Sequence, residues 1–209
     1  MAQAWYWDDY REYEASAPER VIPARIFDER AATHPLDPWY FYQDVWAFRR
    51  VMEVHPPWHL DVGSTALLVG VLAQLVPVVS VDVRPLPVTL DGLTCRQGDV
   101  TALPFADGEV PMASSLSVIE HVGLGRYGDA IDVHGSERAC GELQRVLRPG
   151  GRLLLSVPLA KGEPVTLFNA HRLLTKAQVS RWLDGCRLVG EREICGDGMT
   201  VWLSEWERE

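Results

Sequence analysis

The chain has 209 residues, 47% of them hydrophobic, which is enough to bury one full core and leaves little room for a second. Its formal net charge of -9 argues against a general binder of phosphate backbones, so no nucleic-acid partner is expected. Cys95, Cys140, Cys186 and Cys195 lie far apart with no Cys-x-x-Cys pair, which suggests neither a zinc module nor a disulfide framework, and no metal is expected.

Residues 1 to 37 read as an N-terminal extension, polar and aromatic in turn and punctuated by Pro18, Pro23 and Pro35, with irregular structure and a short helix expected. So polar a segment cannot bury all of Trp5, Tyr6, Trp7 and Tyr10. Packing on the body, cover for a cleft and a homodimer contact all stay open for them. The start is neither basic nor apolar, and no later run approaches the roughly 20 apolar residues of a membrane span. A cytoplasmic protein without a membrane partner is expected.

The remaining residues, 38–209, read as one domain. From Trp39 to Val54 the apolar residues Tyr42, Val45, Trp46, Phe48 and Met52 recur at helical spacing, and Pro56-Pro57 ends that helix. Short apolar runs then alternate with helical patterns: strands near 58–63, 78–83, 93–97, 110–116 and 152–157, helices near 66–75 and 136–147. This predicts an α/β fold, doubly wound, with a mostly parallel sheet and helices on both faces. Ser136 is the expected cap of the second of those helices, and Pro149-Gly150-Gly151 its stop. A long loop is expected from Pro158 to about Leu174, then a helix over Thr175–Leu183. The runs Cys186–Ile194 and Met199–Trp206, joined by Gly196-Asp197-Gly198, predict a C-terminal antiparallel hairpin.

Three features of the parallel part outline a nucleoside pocket. The first strand ends in Asp61-Val62-Gly63, the second in the acid Asp82, and the third runs into Gly98-Asp99. A glycine after a strand lets backbone approach a ligand, and an acid at the next strand end can accept hydrogen bonds from ribose hydroxyls. A dinucleotide oxidoreductase is disfavoured, because Gly63 is not followed by the Gly-x-x-Gly that cradles a pyrophosphate.

With these features and the terminal hairpin, residues 39 to 206 resemble the class I S-adenosylmethionine-dependent methyltransferases, whose seven-stranded Rossmann-like sheet ends in such a hairpin. Within them the chain looks closest to a methyltransferase-like group of unknown function. The resemblance rests on Tyr40–Trp46, Asp61–Ser64, Glu120–Asp129 and Phe168–Arg172. It implies S-adenosylmethionine as cofactor and S-adenosylhomocysteine as product. It also implies that Asp61, Gly63 and Ser64 border the methionine part, that Asp82 and Val83 meet the ribose, and that Gly98, Asp99 and Val100 receive the adenine. Ser115 and Ser117, at the end of the fourth strand, would face the methionine, with Tyr42 and Gln43 of the leading helix as further contacts. The glycine loop departs from the usual Gly-x-Gly-x-Gly: Thr65 and Leu67 add side chains there.

Methyl transfer needs an oriented acceptor and, for an oxygen acceptor, a base. His121 and His171 follow the fourth and fifth strands, at the sheet edge where ligands bind, and are the candidate bases. A structural hydrogen bond is the competing role for His121, and a loop anchor for His171. Glu120, Arg126, Tyr127, Asn169 and Arg172 are candidate acceptor contacts. For Arg126 an ion pair with Asp129 or Glu120 competes with that role. The expected function is O- or N-methylation of a small-molecule or sugar-like acceptor. The alternative is an inactive scaffold module in which Thr65 and Leu67 fill the old pocket.

Overall fold

The computed structural model describes residues 4–24, 32–196 and 198–209. The chain divides into two compact units, Met1–Leu36 and Asp37–Glu209. The first carries helix α1, Ala4–Glu14, along which the rings of Trp5, Tyr6, Trp7 and Tyr10 meet edge to face, with an Arg11–Asp8 ion pair on its exposed side.

The second unit opens with α2, Pro38–Val54, whose N-terminus is signalled twice: Pro38 presets the first helical φ, and the Asp37 carboxylate accepts from the amides of Trp39 and Tyr40. There follow β1 (His59–Val62), α3 (Ala66–Leu72), β2 (Val78–Asp82), β3 (Leu93–Gln97), β4 (Val110–Leu116), α4 (Gly135–Val146) and β5 (Leu147–Pro158). The chain ends with β6 (Val165–Leu167), β7 (His171–Leu173), α5 (Lys176–Trp182), β8 (Cys186–Gly196) and β9 (Met199–Arg208). Seven strands form one sheet in the order β3-β2-β1-β4-β5-β9-β8; the first five are parallel, and β9 and β8 close the edge as an antiparallel hairpin. Asp197, in the hairpin turn, lies outside the described residues.

Alternation along the buried strands divides the core into two layers. Leu153, Leu155 and Val157 pack with Ala139, Cys140 and Leu143 of α4 and Val179 of α5, whereas Leu154, between them, packs with Ala47 and Val51 of α2 and Leu68 and Leu72 of α3. Helices thus cover both faces, as the strand pattern predicts. Among the described residues no helix is long and apolar enough to cross a membrane.

Two expectations are corrected. Ser136 does not cap α4: the N-cap position is His134, without a side-chain bond, and the buried Ser136 hydroxyl donates to Ile119 O at 2.7 Å instead. The helix starts one residue earlier, at Gly135, so Ser136 lies within its first turn rather than at the cap. The segment 158–174 is not a plain loop, because β6 and β7 pair within it as a short antiparallel hairpin. Three-residue exposed strands carry too little apolar alternation to be read from sequence. Conversely, α5 has a full capping box, Thr175 with Gln178, at the position where the helix is predicted to start.

Candidate active site

The strand order reverses between β1 and β4, so their outgoing chains diverge and leave a crevice at the carboxyl ends of the parallel strands. Its floor and walls come from four strand ends: Val62 and Gly63 after β1, Asp82, Val83 and Arg84 after β2, Gly98, Asp99 and Val100 after β3, and Ser117 and Val118 after β4. His121, from a 3-10 turn at Ile119–His121, and Tyr127 and Asp129, from the glycine loop that follows, complete it. Nine of the residues singled out from sequence therefore meet in one cleft: Gly63, Asp82, Val83, Gly98, Asp99, Val100, Ser117, His121 and Tyr127.

Gly63 has φ +71°, and a Cβ there would come within 3.1 Å of Val118 and 3.5 Å of Asp82 Oδ2. The backbone of the β1 turn thus lies directly against the acid at the end of β2. Gly63→Ala is expected to cost about 1–2 kcal/mol of stability through its left-handed φ, measured by thermal melting. Asp82 and Asp99 each use one oxygen locally: Asp82 Oδ1 accepts from Arg84 N at 2.7 Å, and Asp99 Oδ1 from Thr101 N and Oγ1, both at 2.8 Å. Among the described residues no hydrogen bond is made to the second oxygen of either. At Gly98 a Cβ would meet Val81 at 2.7 Å, so only glycine lets the chain turn past β2 here.

The altered glycine loop does not fill the cleft. Thr65 is the N-cap of α3, accepting from Leu68 N and donating to Asp44 Oδ2 at 2.6 Å, and Leu67 is 78% exposed. Neither lines the crevice.

Other predicted residues support the cleft from behind. Asp61 is fully buried on the α2–α3 face of the sheet, with Oδ1 accepting from Ser64 N at 3.1 Å and Oδ2 from the Ser114 hydroxyl at 2.5 Å. Burial pushes its carboxyl up to about 6, against the pull of the Ser114 and Ser64 bonds. Ser64 Oγ in turn accepts from Leu116 N at 3.3 Å. Gln43, also buried, accepts from the hydroxyls of Ser117 at 2.8 Å and Ser156 at 2.5 Å, tying α2 to the ends of β4 and β5. Ser117 holds φ +56°, a costly conformation for serine, with its amide donating to Ser156 Oγ at 2.8 Å. Ser115 points to the other face of β4 with its hydroxyl buried and unpartnered, and Tyr42 is 44% exposed and outside the lining.

Of the candidate acceptor-side residues, Arg126, Tyr127 and His171 gather beside His121. Its Nδ1 lies 2.5 Å from Ala170 O, and since a carbonyl only accepts, Nδ1 carries the proton and Nε2 is left as a lone-pair acceptor. Burial lowers the His121 pKa, with the Ala170 bond opposing and Arg126 and His171 adding to the lowering. The ring meets Tyr127 edge-on at 5.7 Å and His171 at 6.2 Å. Arg126 makes neither ion pair weighed for it; it donates to Ala170 O at 3.2 Å and stacks on Tyr127, whose ring Arg84 also covers at 4.4 Å. Asp129 instead accepts from the amides of Gly123 at 2.6 Å, Tyr127 at 3.2 Å and Gly125 at 3.4 Å, which folds the glycine loop about one carboxylate. Burial raises its pKa, but those amides outweigh burial and hold it below the usual range.

Arg172 and Asn169 lie apart from the cleft. The Arg172 guanidinium donates to Val122 O at 2.5 Å, Ser136 Oγ at 3.2 Å and Asp132 O at 3.0 Å, binding β7 to the loop behind the site. Asn169 is exposed at φ +58° in the β6–β7 turn, a conformation asparagine tolerates. Sequence reasoning missed Arg84 and Val118. The signal for Arg84 was its place two residues beyond Asp82, as for Val118 its place two residues beyond the end of β4.

The comparisons with known proteins agree with this geometry. The architecture matches the 1,6-didemethyltoxoflavin-N1-methyltransferase of Burkholderia thailandensis, solved with 1,6-didemethyltoxoflavin and S-adenosylhomocysteine, at TM-score 0.60 and 15% identity, over 81% of this chain and 83% of that one. It also matches the N-methyltransferase NodS of Bradyrhizobium japonicum WM9 with S-adenosylhomocysteine, at TM-score 0.60 and 13% identity, over 82% and 89%. The fold is that of the class I S-adenosylmethionine-dependent methyltransferases. On this methyltransferase fold, residues 105–192 match the family described as Caenorhabditis protein of unknown function, DUF268. In sequence the chain is 28% identical over 115 residues to the uncharacterized protein YafE of Escherichia coli K12, an alignment spanning 53% of this chain and half the length of that relative.

Proposed function

We propose that this protein is an S-adenosylmethionine-dependent methyltransferase acting on a hydroxyl or N–H group of a small-molecule or sugar-like acceptor. The observation that carries the reading is the convergence of Gly63, Asp82 and Gly98-Asp99-Val100 on one crevice whose wall also bears His121. The likeness to an enzyme solved with a small heterocyclic acceptor supports the acceptor class.

The residues fit the cofactor. Asp82 Oδ2 would accept from the ribose hydroxyls, while Asp99 and the amide of Val100 would meet the adenine amino group and ring. Gly63 and Ser117 would border the methionine. When bound, the cofactor supplies an electrophilic methyl group on a sulfonium centre. What the chain contributes is position and a place for a proton. Burial of His121 favours its neutral ring, and with Nδ1–H fixed on Ala170 O it is Nε2 that would serve as the base. Tyr127 bounds the cofactor cleft and touches the edge of that ring, and His171 and Arg126 form the outer rim.

Calorimetric titration with S-adenosylhomocysteine tests the cofactor assignment directly, and absence of binding to the folded protein overturns it. His121→Ala is expected to leave that binding unchanged and to lower turnover by roughly 10²–10⁴-fold, the usual worth of a general base. Release of S-adenosylhomocysteine across a panel of hydroxyl and N–H acceptors measures it.

A further inference from the structure

Glu120 precedes the base in the same 3-10 turn and is 3% exposed, yet its Oε2 has no hydrogen-bond partner. The carboxylate meets its own backbone amide, but a buried oxygen left without a partner is costly, and such groups ordinarily find a cation or a donor. Among ionisable side chains, His121 Nε2 lies 3.9 Å from Glu120 Oε1. At that distance, facing a lone pair, no bond forms. Once Nε2 carries a proton, the same separation is an ion pair, closed to hydrogen-bond length by a small side-chain rotation.

We infer that Glu120 is a positioning residue for the transfer: its carboxylate is the partner that His121 acquires only after taking the acceptor's proton. The inference rests on the methyl-transfer reading. In the step, the acceptor's O or N lone pair forms the new bond to the methyl carbon, and the C–S bond breaks with its electron pair left on sulfur. The acceptor's proton passes to His121 Nε2, is held by Glu120, and leaves to solvent. An interaction absent at rest and made as the proton arrives stabilises the transition state rather than the ground state.

The pair has defined surroundings. Tyr40 of α2 feels the Glu120 charge, and Arg126, Tyr127 and Asp129 of the glycine loop and His171 of β7 ring His121. Arg126, the cation at hand, is committed to Ala170 O and the Tyr127 ring, so it does not neutralise Glu120. Burial pushes the Glu120 carboxyl up to about 8. The competent form, ionised Glu120 with neutral His121, therefore grows as pH rises through that value.

The test is an NMR titration of the full, isotopically labelled protein, following the His121 ring nitrogens and the Glu120 side-chain carboxyl carbon from pH 5 to 10. The expected result is a His121 inflection in step with the Glu120 carboxyl, on the alkaline side of neutrality, and its loss in Glu120→Gln. Independent titration of the two groups in the wild type, or superposable His121 curves in wild type and variant, overturns the inference. The wild-type arm stands even if the variant misfolds. S-adenosylhomocysteine calorimetry on the same samples separates the two readings: no binding with the coupling intact removes methyl transfer and leaves the pair.

Discussion

Asp82→Ala is expected to weaken S-adenosylhomocysteine binding by about 100-fold or more while the protein melts within a few degrees of wild type. Two hydrogen bonds from ribose hydroxyls to a carboxylate are worth about 1.5 kcal/mol each, and 1.4 kcal/mol is a factor of ten in affinity. The structural cost is small because, among the described residues, the hydrogen bond the Asp82 carboxylate makes is Oδ1 to Arg84 N, in a partly exposed turn. Calorimetry with the wild type alongside checks it. Equal affinity in the two proteins would place the nucleoside elsewhere and remove the assignment of this cleft.

Glu120→Gln is expected to stabilise the protein, increasingly so as pH rises. The carboxyl ionises near 4.5 when unfolded and only near 8 when folded, because burial penalises its charge. Between those values the unfolded chain holds fewer protons than the native one, so stability falls with rising pH. Glutamine removes that slope. The gain should be negligible below about pH 4 and approach about 5 kcal/mol above pH 8, where the wild type carries a buried charge. Chemical denaturation of both proteins at pH 4, 6 and 8.5 measures it, and parallel pH profiles would contradict it. A stability gain at the expense of turnover is the signature expected of a site residue.

Most of the parallel strands were legible because they are short apolar runs with a clear stop, and the polar edge strand β3 because it runs into Gly98-Asp99. Strand bounds at 93–97 and 110–116 agree residue for residue, and the acids and glycines at their ends are local features. The β6–β7 hairpin was not legible, since three exposed residues a side have no apolar rhythm to read. Asp61 illustrates a different limit. Its place beside the glycine turn was visible, but not that both oxygens would be taken by Ser64 and by Ser114, the latter 53 residues away. Arg172 was legible as a charge in a polar loop, and only the packing of β7 against residues 122–136 gave it three acceptors.

What the residues determined by themselves is the candidate cofactor cleft: strand-turn units whose ends fall at one sheet edge, with glycine where backbone passes close to an acid and an aspartate at or just beyond the strand ends. Those are short-range consequences of φ, alternation and turn chemistry. What only the tertiary structure decided is the arrangement around His121. The tautomer of His121 depends on Ala170 O, 49 residues distant, and Arg126 is drawn to that same carbonyl. Both are outcomes of competition among groups far apart in the chain, settled by which partner the packed sheet brings within hydrogen-bond reach.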